Sequence, residues 1–426
     1  MEKNREYETR YEAIKLHEQK IGFNRILQII RRSRYWLSKW LRRYQTEGLR
    51  GLQDKSRAPK KVWRKTSERL VRKILSIRKE LDSHPGRRLA FAGIGPEVIR
   101  WELQRRKFRY LPGVSTIARI LSRHGQTGKR KAARRNAGRP YPYSLAEKMG
   151  DLQQTDIVGP RYLRGQEGVT RFYSFHTVDT GGHTAFCSQF PDKQTTSLCR
   201  HLVEAWRWMG IPRVSQLDNE MAATGGGRYP YSLSQVTRLH LLLGVHLVFI
   251  PQGEPGRNAA VESFNGLWQE RVLHRHLCPT LTTLRRTSDR FLRYYHYEKP
   301  HRALTQKNEG TRLPGVLRNR LWKSLIHLPR GFNLDRYINS KGYLHLPVAK
   351  GRVSFVRKVD VKGSIEANGS SYFIRKKLEG QYVVATIFPH RKRMVVKQDN
   401  RIVKSFVFPI TAKVINPLIP YRKRKK

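Results

Sequence analysis

IPQGEPGRNAAVESFNGLWQERVL, residues 250–273, decides how the rest of the chain is read. An apolar run, Val245 to Ile250, empties into a loop punctuated by Pro251, Gly253, Pro255 and Gly256. Such residues stop a strand and admit a turn. Asn258 then stands where a helix N-cap is expected. Beyond it Val261, Phe264, Leu267, Trp268 and Val272 recur at helical spacing and form a core-facing stripe. Glu262, Asn265 and Gln269, three and four residues apart, share another face. The helix dipole favours a carboxylate in any first turn, so Glu262 taken alone reads as a solvated helix-start residue.

Two other carboxylates change that reading. Asp156 lies in LQQTDIVGP, a strand-like run closed by Gly159 and Pro160. Asp218 ends the apolar run of RVSQLDNE and is followed by Asn219. In this order, Asp156, Asp218-Asn219 and AAVESFNG resemble the catalytic core of retroviral integrases and bacterial insertion-sequence transposases. These are the DDE recombinases with a ribonuclease H-like fold, to which Mu-type transposases are also similar. YYHYEKPHRAL, Tyr294 to Leu304, resembles the segment after the Glu helix in that family. The resemblance covers residues 145–310. It implies that Asp156, Asp218 and Glu262 are both the catalytic residues and the metal ligands. It implies two Mg2+ ions per site, with Mn2+ as substitute, and double-stranded DNA as partner, both transposon ends and target. A homo-multimer in a synaptic complex is a further implication.

The chemistry suits those residue types. Phosphoryl transfer on DNA needs charge stabilisation at the attacking and leaving oxygens, which two ions about 3.5–4 Å apart provide. Hard cations take oxygen ligands, hence carboxylates. Water serves in hydrolysis, and a freed 3′-hydroxyl attacks target DNA in strand transfer. Two departures stand out. Asp218 and Glu262 lie 44 positions apart, more than is usual in the family, with the surplus expected in a surface loop over Glu220 to Gln235. Integrases often carry Lys four and seven positions after the Glu, where this chain has Gly266 and Gln269. Arg271 and Arg275 stand nearby. Asn265 and Gln269 are read as DNA contacts.

Composition points to the same partner. Against 32 Asp+Glu there are 86 Lys+Arg, a formal charge of +54. That excess implies a polyanion, and nucleic acid is the natural one. No apolar run approaches the roughly 18 residues of a transmembrane helix. MEKNREYETR is too charged for a signal peptide. Three cysteines, Cys187, Cys199 and Cys278, are an odd, sparse set that suits a reduced compartment. A bacterial, cytoplasmic, nucleoid-associated protein is expected. A zinc set from His183, Cys187, Cys199 and His201 lacks any tight CxxC knuckle.

In chain order, residues 1–58 read as an all-α helix-turn-helix domain. Its third helix, capped by Ser33, buries Trp36, Leu37, Trp40, Leu41 and Tyr44 and presents Tyr35, Ser38, Lys39 and Arg42 to DNA. Residues 62–125 read as a second helix-turn-helix or winged-helix domain. There Ser115 caps a helix that offers Ser115, Thr116, Arg119 and Arg123. Solvated helical bundles are the bland alternative for both. Residues 126–144 form a basic linker in which Lys129, Arg130, Lys131, Arg134 and Arg135 track phosphates. Residues 145–310 read as an α/β core: three strands, then helix, strand, helix, strand and helix, a mixed five-stranded sheet. A linker over 311–341 leads to short, evenly spaced strands over 342–412, read as a small β-barrel. A basic tail fills 413–426.

The expected function is a DNA transposase that cleaves DNA and joins its 3′-hydroxyl end to target DNA. The alternatives are a catalytically inactive DNA-binding regulator or assembly protein, and a structure-specific nuclease on the same core.

Overall fold

The third helix starts and stops where its residues give a reason. In this computed structural model α1 spans Glu2–Glu18, α2 Phe23–Ile30 and α3 Arg34–Glu47. The described residues are 2–55, 66–83, 89–128, 142, 146–165, 168–218, 231–251, 253–306 and 311–410. Ser33 caps α3, its hydroxyl accepting from Trp36 N at 3.2 Å, and Gly48 ends it at φ +58°. Leu37, Trp40 and Leu41 of α3 pack with Ala13, Ile14 and Ile26. Arg10 lies 3.9 Å above the Trp40 ring. This unit, Met1–Ser67, is one of two compact units; the other is Glu68–Lys426. Ser33→Ala should cost about 1 kcal/mol. Faster hydrogen exchange at the first α3 amides, with α1 amides unaffected, checks this.

The larger unit is built on one open sheet. Its strands are β1 (Leu152–Gly165), β2 (Gly168–Asp179), β3 (Ala185–Phe190), β4 (Val214–Leu217), β5 (His246–Phe249), β6 (Val353–Lys358), β7 (Ser364–Ala367), β8 (Ser370–Phe373), β9 (Tyr382–Phe388), β10 (Arg393–Gln398) and β11 (Arg401–Val407). The order is β11-β10-β9-β6-β5-β4-β1-β2-β3, with β7-β8 a separate hairpin. Strands β3-β2-β1-β4-β5 are the expected mixed five: β1, β2 and β3 run antiparallel, and β4 and β5 parallel to β1. Its helices are α4 (Glu68–Asp82), α5 (Pro96–Arg105), α6 (Val114–Arg123), α7 (Thr195–Met209), α8 (Gln235–Leu242), α9 (Ala259–Trp268), α10 (Leu281–Tyr297), α11 (Arg302–Gln306) and α12 (Pro314–Leu321).

Side chains alternate across β2, and the two layers show it. Phe172 and Val178 face a core with Val261, Phe264 and Trp268 of α9 and Phe291 of α10. Tyr173 and Phe175 face a core with Leu198, Leu202 and Trp206 of α7 and Val236 and Leu239 of α8.

Three expectations meet a different outcome, and a fourth is described only in part. Gly159 and Pro160 do not close β1; the strand runs on to Gly165 with a register shift between Val158 and Arg161. Gly159 is required there, at φ +146°, because a Cβ would meet Tyr173 Cδ1 at 2.8 Å. The C-terminal strands do not form a separate small barrel. Strand β6 pairs in parallel with β5, Leu247 opposite Val353 and Phe249 opposite Phe355, and the sheet stays open from β11 to β3. A strand edge needs backbone partners, and β6 satisfies the β5 edge. Short, evenly spaced strands read the same whether they close on themselves or extend a neighbour. Ser115 does not cap α6: Gly113 is its N-cap and Ser115 lies within the first turn. The loop expected over Glu220 to Gln235 lies outside the described residues as far as residue 230; after it Ser232, Leu233 and Ser234 are buried rather than on the surface.

Helices α4 to α6 share the α9–α10 core. Leu70, Ile74, Ile77 and Leu81 of α4, Ile99 and Leu103 of α5, and Ile117 and Leu121 of α6 are buried in it. Arg271 donates to Phe91 O at 2.8 Å and Arg275 to Ala92 O at 2.9 Å, so both clamp the segment before α5.

Candidate active site

Strand register puts the aspartates together. On parallel strands β1 and β4, Gln154 stands opposite Gln216 and Thr155 opposite Leu217. One residue further, Asp156 falls alongside Asp218. With a side-chain period of two, Gln154 and Asp156 share a face, as do Gln216 and Asp218. Leu217 lies in the α7–α8 core, so its neighbours Gln216 and Asp218 face α9. Asp156, Asp218 and Glu262 are all half-buried.

Helix α9, together with the turn Pro255–Asn258 that leads into it, is tied to both strands. Gln154 Nε2 donates to Arg257 O at 3.0 Å, and Gln216 Nε2 donates to the same oxygen at 2.8 Å. Asn258 has no capping hydrogen bond of its own side chain; Gln154 Oε1 accepts from Ala260 N at 3.1 Å instead. Asn265, one turn beyond Glu262, donates from Nδ2 to Asp156 Oδ2 at 2.6 Å. Its Oδ1 lies 2.6 Å from His176 Nδ1, and His176 Nε2 lies 2.7 Å from Ser174 Oγ. Burial holds His176 down at about 4, so its ring is neutral and donates from Nδ1 to Asn265. Asn265, expected as a DNA contact, is therefore buried and turned toward Asp156. Gln269 Oε1 accepts from Arg161 Nη2 at 2.8 Å.

Asp179 faces away from this site, opposite Gln153. Its oxygens accept from Gly182 N at 2.6 Å and Gly150 N at 2.9 Å. Cys187 and Cys199 are buried free thiols, and His201 lies 2.8 Å from Thr177 Oγ1 and 2.7 Å from Ser188 Oγ. Among the described residues no group of three or more His, Cys, Asp or Glu could hold a metal ion as it stands. The donor chemistry of Asp156, Asp218 and Glu262, all carboxylate oxygen, nonetheless fits a hard divalent cation.

Of the residues expected at DNA, Tyr35, Ser38, Lys39 and Arg42 are exposed on α3, as are Ser115, Arg119 and Arg123 on α6; Thr116 is half-buried. Lys129, Arg130, Lys131, Arg134 and Arg135, and the tail 413–426, lie outside the described residues. Sequence reasoning did not single out Gln154, Gln216 and His176. The repeated pattern Gln-x-Asp, Gln154 to Asp156 and Gln216 to Asp218, was the available signal for the glutamines.

Asn265→Ala should weaken divalent-metal affinity about 10–100-fold, since it frees the Asp156 carboxylate to rotate. Mn2+ titration followed by electron paramagnetic resonance checks this. The buried histidines give a second expectation. Burial lowers His176 and His240 to about 4, and His246 and His296 to about 3. Unfolded histidine titrates near about 6.5. A depressed folded value gives stability that is full above the unfolded value and is lost as pH falls. Asp179, raised by burial to about 6, acts in the opposite sense and favours folding as pH falls from about 6 to 4. Four histidines outweigh one aspartate, so the urea midpoint should fall between about pH 7 and pH 5. A flat profile contradicts this.

Residues 243–308 match the integrase core domain family, and residues 36–121 match a homeodomain-like domain. The insertion element IS407 uncharacterized 31.7 kDa protein of Burkholderia multivorans is 29% identical over 107 residues, 25% of this chain. The chain spans 36% of that relative's length. Among solved structures, a simian T-cell lymphotropic virus intasome in complex with PP2A regulatory subunit B56 gamma gives a TM-score of 0.34 at 14% identity, over 52% of this chain and 69% of that one. The HTLV-2 integrase catalytic core domain in complex with magnesium gives 0.28 at 16% identity, over 36% and 92%. Two segments of the chain thus match known families, one a homeodomain-like domain and one the integrase core domain. No helix among the described residues is long and apolar enough to cross a membrane.

Proposed function

We propose that this chain cuts and joins DNA: it cleaves at the ends of an insertion element and directs the freed 3′-hydroxyl onto target DNA. One observation carries the reading. Two aspartates stand on one face where the parallel pairing of β1 and β4 ends, and the turn that leads into the helix bearing Glu262 is hydrogen-bonded to both strands. Asp156, Asp218 and Glu262 would hold divalent metal, with Mg2+ the natural ion, which supplies charge stabilisation to the attacking and leaving oxygens. Asn265 orients Asp156 from within the protein, and neutral His176 orients Asn265. The exposed basic face of α3 and the charge of +54 support double-stranded DNA as substrate. Joining two element ends to one target suits a homo-multimer.

The test incubates the full chain with element-end duplexes, plasmid target and Mg2+. Joined product that disappears with EDTA is expected. Tight, salt-sensitive DNA binding without any cleavage would favour the inactive-regulator reading. Cleavage without joining would favour the nuclease reading.

A further inference from the structure

Each of the two aspartates has a glutamine two residues before it, Gln154 on β1 before Asp156 and Gln216 on β4 before Asp218. The two glutamines are buried, lie opposite each other, and converge on one atom, the Arg257 carbonyl oxygen. Gln216 Nε2 also donates to Asn258 Oδ1 at 2.9 Å. Gln154 uses its other end as well: Oε1 accepts from Ala260 N at 3.1 Å and Val261 N at 3.4 Å. These are first-turn amides of α9, which a helix cannot satisfy internally. Glu262 is the next residue.

The other side of the same turn is held by the C-terminal strands. Tyr382 OH, on β9, donates to Glu254, 2.6 Å from Oε1 and 2.7 Å from Oε2. Arg257 Nε donates to Glu254 Oε2 at 3.0 Å, and its Nη2 to Tyr382 OH at 3.2 Å. Arg257 is therefore fixed through its carbonyl by the aspartate strands and through its guanidinium by β9.

We infer that Gln154 and Gln216 are positioning residues: they hold the first turn of α9 at a fixed height on β1 and β4, and so set the Glu262 carboxylate relative to Asp156 and Asp218. This rests on the function proposed above. A neutral amide suits the task. It donates and accepts at once, and it brings no charge to compete with the three carboxylates for a cation. Glutamate in place of Gln154 would keep the acceptor toward the helix amides but lose the donor toward Arg257. Methionine would keep neither.

The experiment compares Gln154→Met, Gln154→Glu and Gln216→Met with the wild-type full chain. Hydrogen exchange at residues 260–263 should be about tenfold faster in Gln154→Met, with α10 amides unchanged. Mn2+ affinity, read by electron paramagnetic resonance without DNA, should fall about 10–100-fold in both Met variants. Gln154→Glu should recover the exchange protection and part of the affinity. In joining, kcat should fall while KM for the end duplex stays unchanged. Wild-type exchange at 260–263 and wild-type Mn2+ affinity in both Met variants would overturn the inference. Should Gln154→Met fail to fold, Gln216→Met and Gln154→Glu decide the question by the same readouts. Absence of joining by the wild type would sink the proposed function alone, because exchange and Mn2+ binding still report on the glutamines.

Discussion

Asp218→Asn should lower DNA joining by about 10³-fold, corresponding to the several kcal/mol of charge stabilisation that a metal supplies in phosphoryl transfer. The substitution is nearly isosteric and half-exposed, so the fold is expected to survive it. It removes one formal charge from an oxygen that lies beside Asp156 on the neighbouring strand. DNA affinity should stay at the wild-type level or rise slightly, because one negative charge is lost near a polyanion. Single-turnover joining in Mg2+, set against fluorescence-polarisation binding of the same duplex, separates the two effects. Joining at the wild-type rate would mean that Asp218 is not a ligand.

Trp268→Ala should destabilise the larger unit by about 3–5 kcal/mol, the range for deleting a fully buried large aromatic side chain. Trp268 is 0% exposed and fills the seam between α9 and α10. Its ring meets His176 edge-on at 4.9 Å, and its Nε1 donates to Ser288 Oγ at 3.0 Å. Removal leaves a cavity beneath the helix that carries Glu262 and orphans the Ser288 hydroxyl. Trp268→Phe keeps most of the volume and should cost less. Urea unfolding followed by circular dichroism measures both, and an unchanged midpoint in the alanine variant would contradict this packing.

Local periodicity made much of this fold legible. Trp36, Leu37, Trp40 and Leu41 announce one face of α3, and Leu198, Leu202 and Trp206 one face of α7; these helices appear where the spacing puts them. The hairpin between β2 and β3 follows from Gly181 and Gly182 between two apolar runs. Pairing at long range was not legible. Nothing in RVSFVRK, residues 352–358, says that its partner is a strand more than 100 positions earlier rather than its own hairpin neighbour.

The site divides the same way. Carboxylates on neighbouring strands and in a helix first turn carry their chemistry in their residue type, which is why sequence alone puts forward Asp156, Asp218 and Glu262 as candidates. Residues that act by hydrogen bonding inside the protein are not marked in this way. Asn265 looked like a polar residue on a DNA-facing stripe, yet the stripe turns toward β1 and β2. Arg271 and Arg275 stand near Glu262 in the sequence, and their guanidinium groups close onto the Phe91 and Ala92 carbonyls. Arginine donates in a fixed fork, and a backbone carbonyl satisfies it as well as a phosphate does.

The most direct test of the central claim is single-turnover strand joining with Glu262→Gln beside wild type, in Mg2+, with both proteins saturated by the same end duplex. Joined product from wild type and none from Glu262→Gln, at equal DNA occupancy, is the predicted result. Equal product from both would contradict it, since the helix held against β1 and β4 would then carry no catalytic group at residue 262.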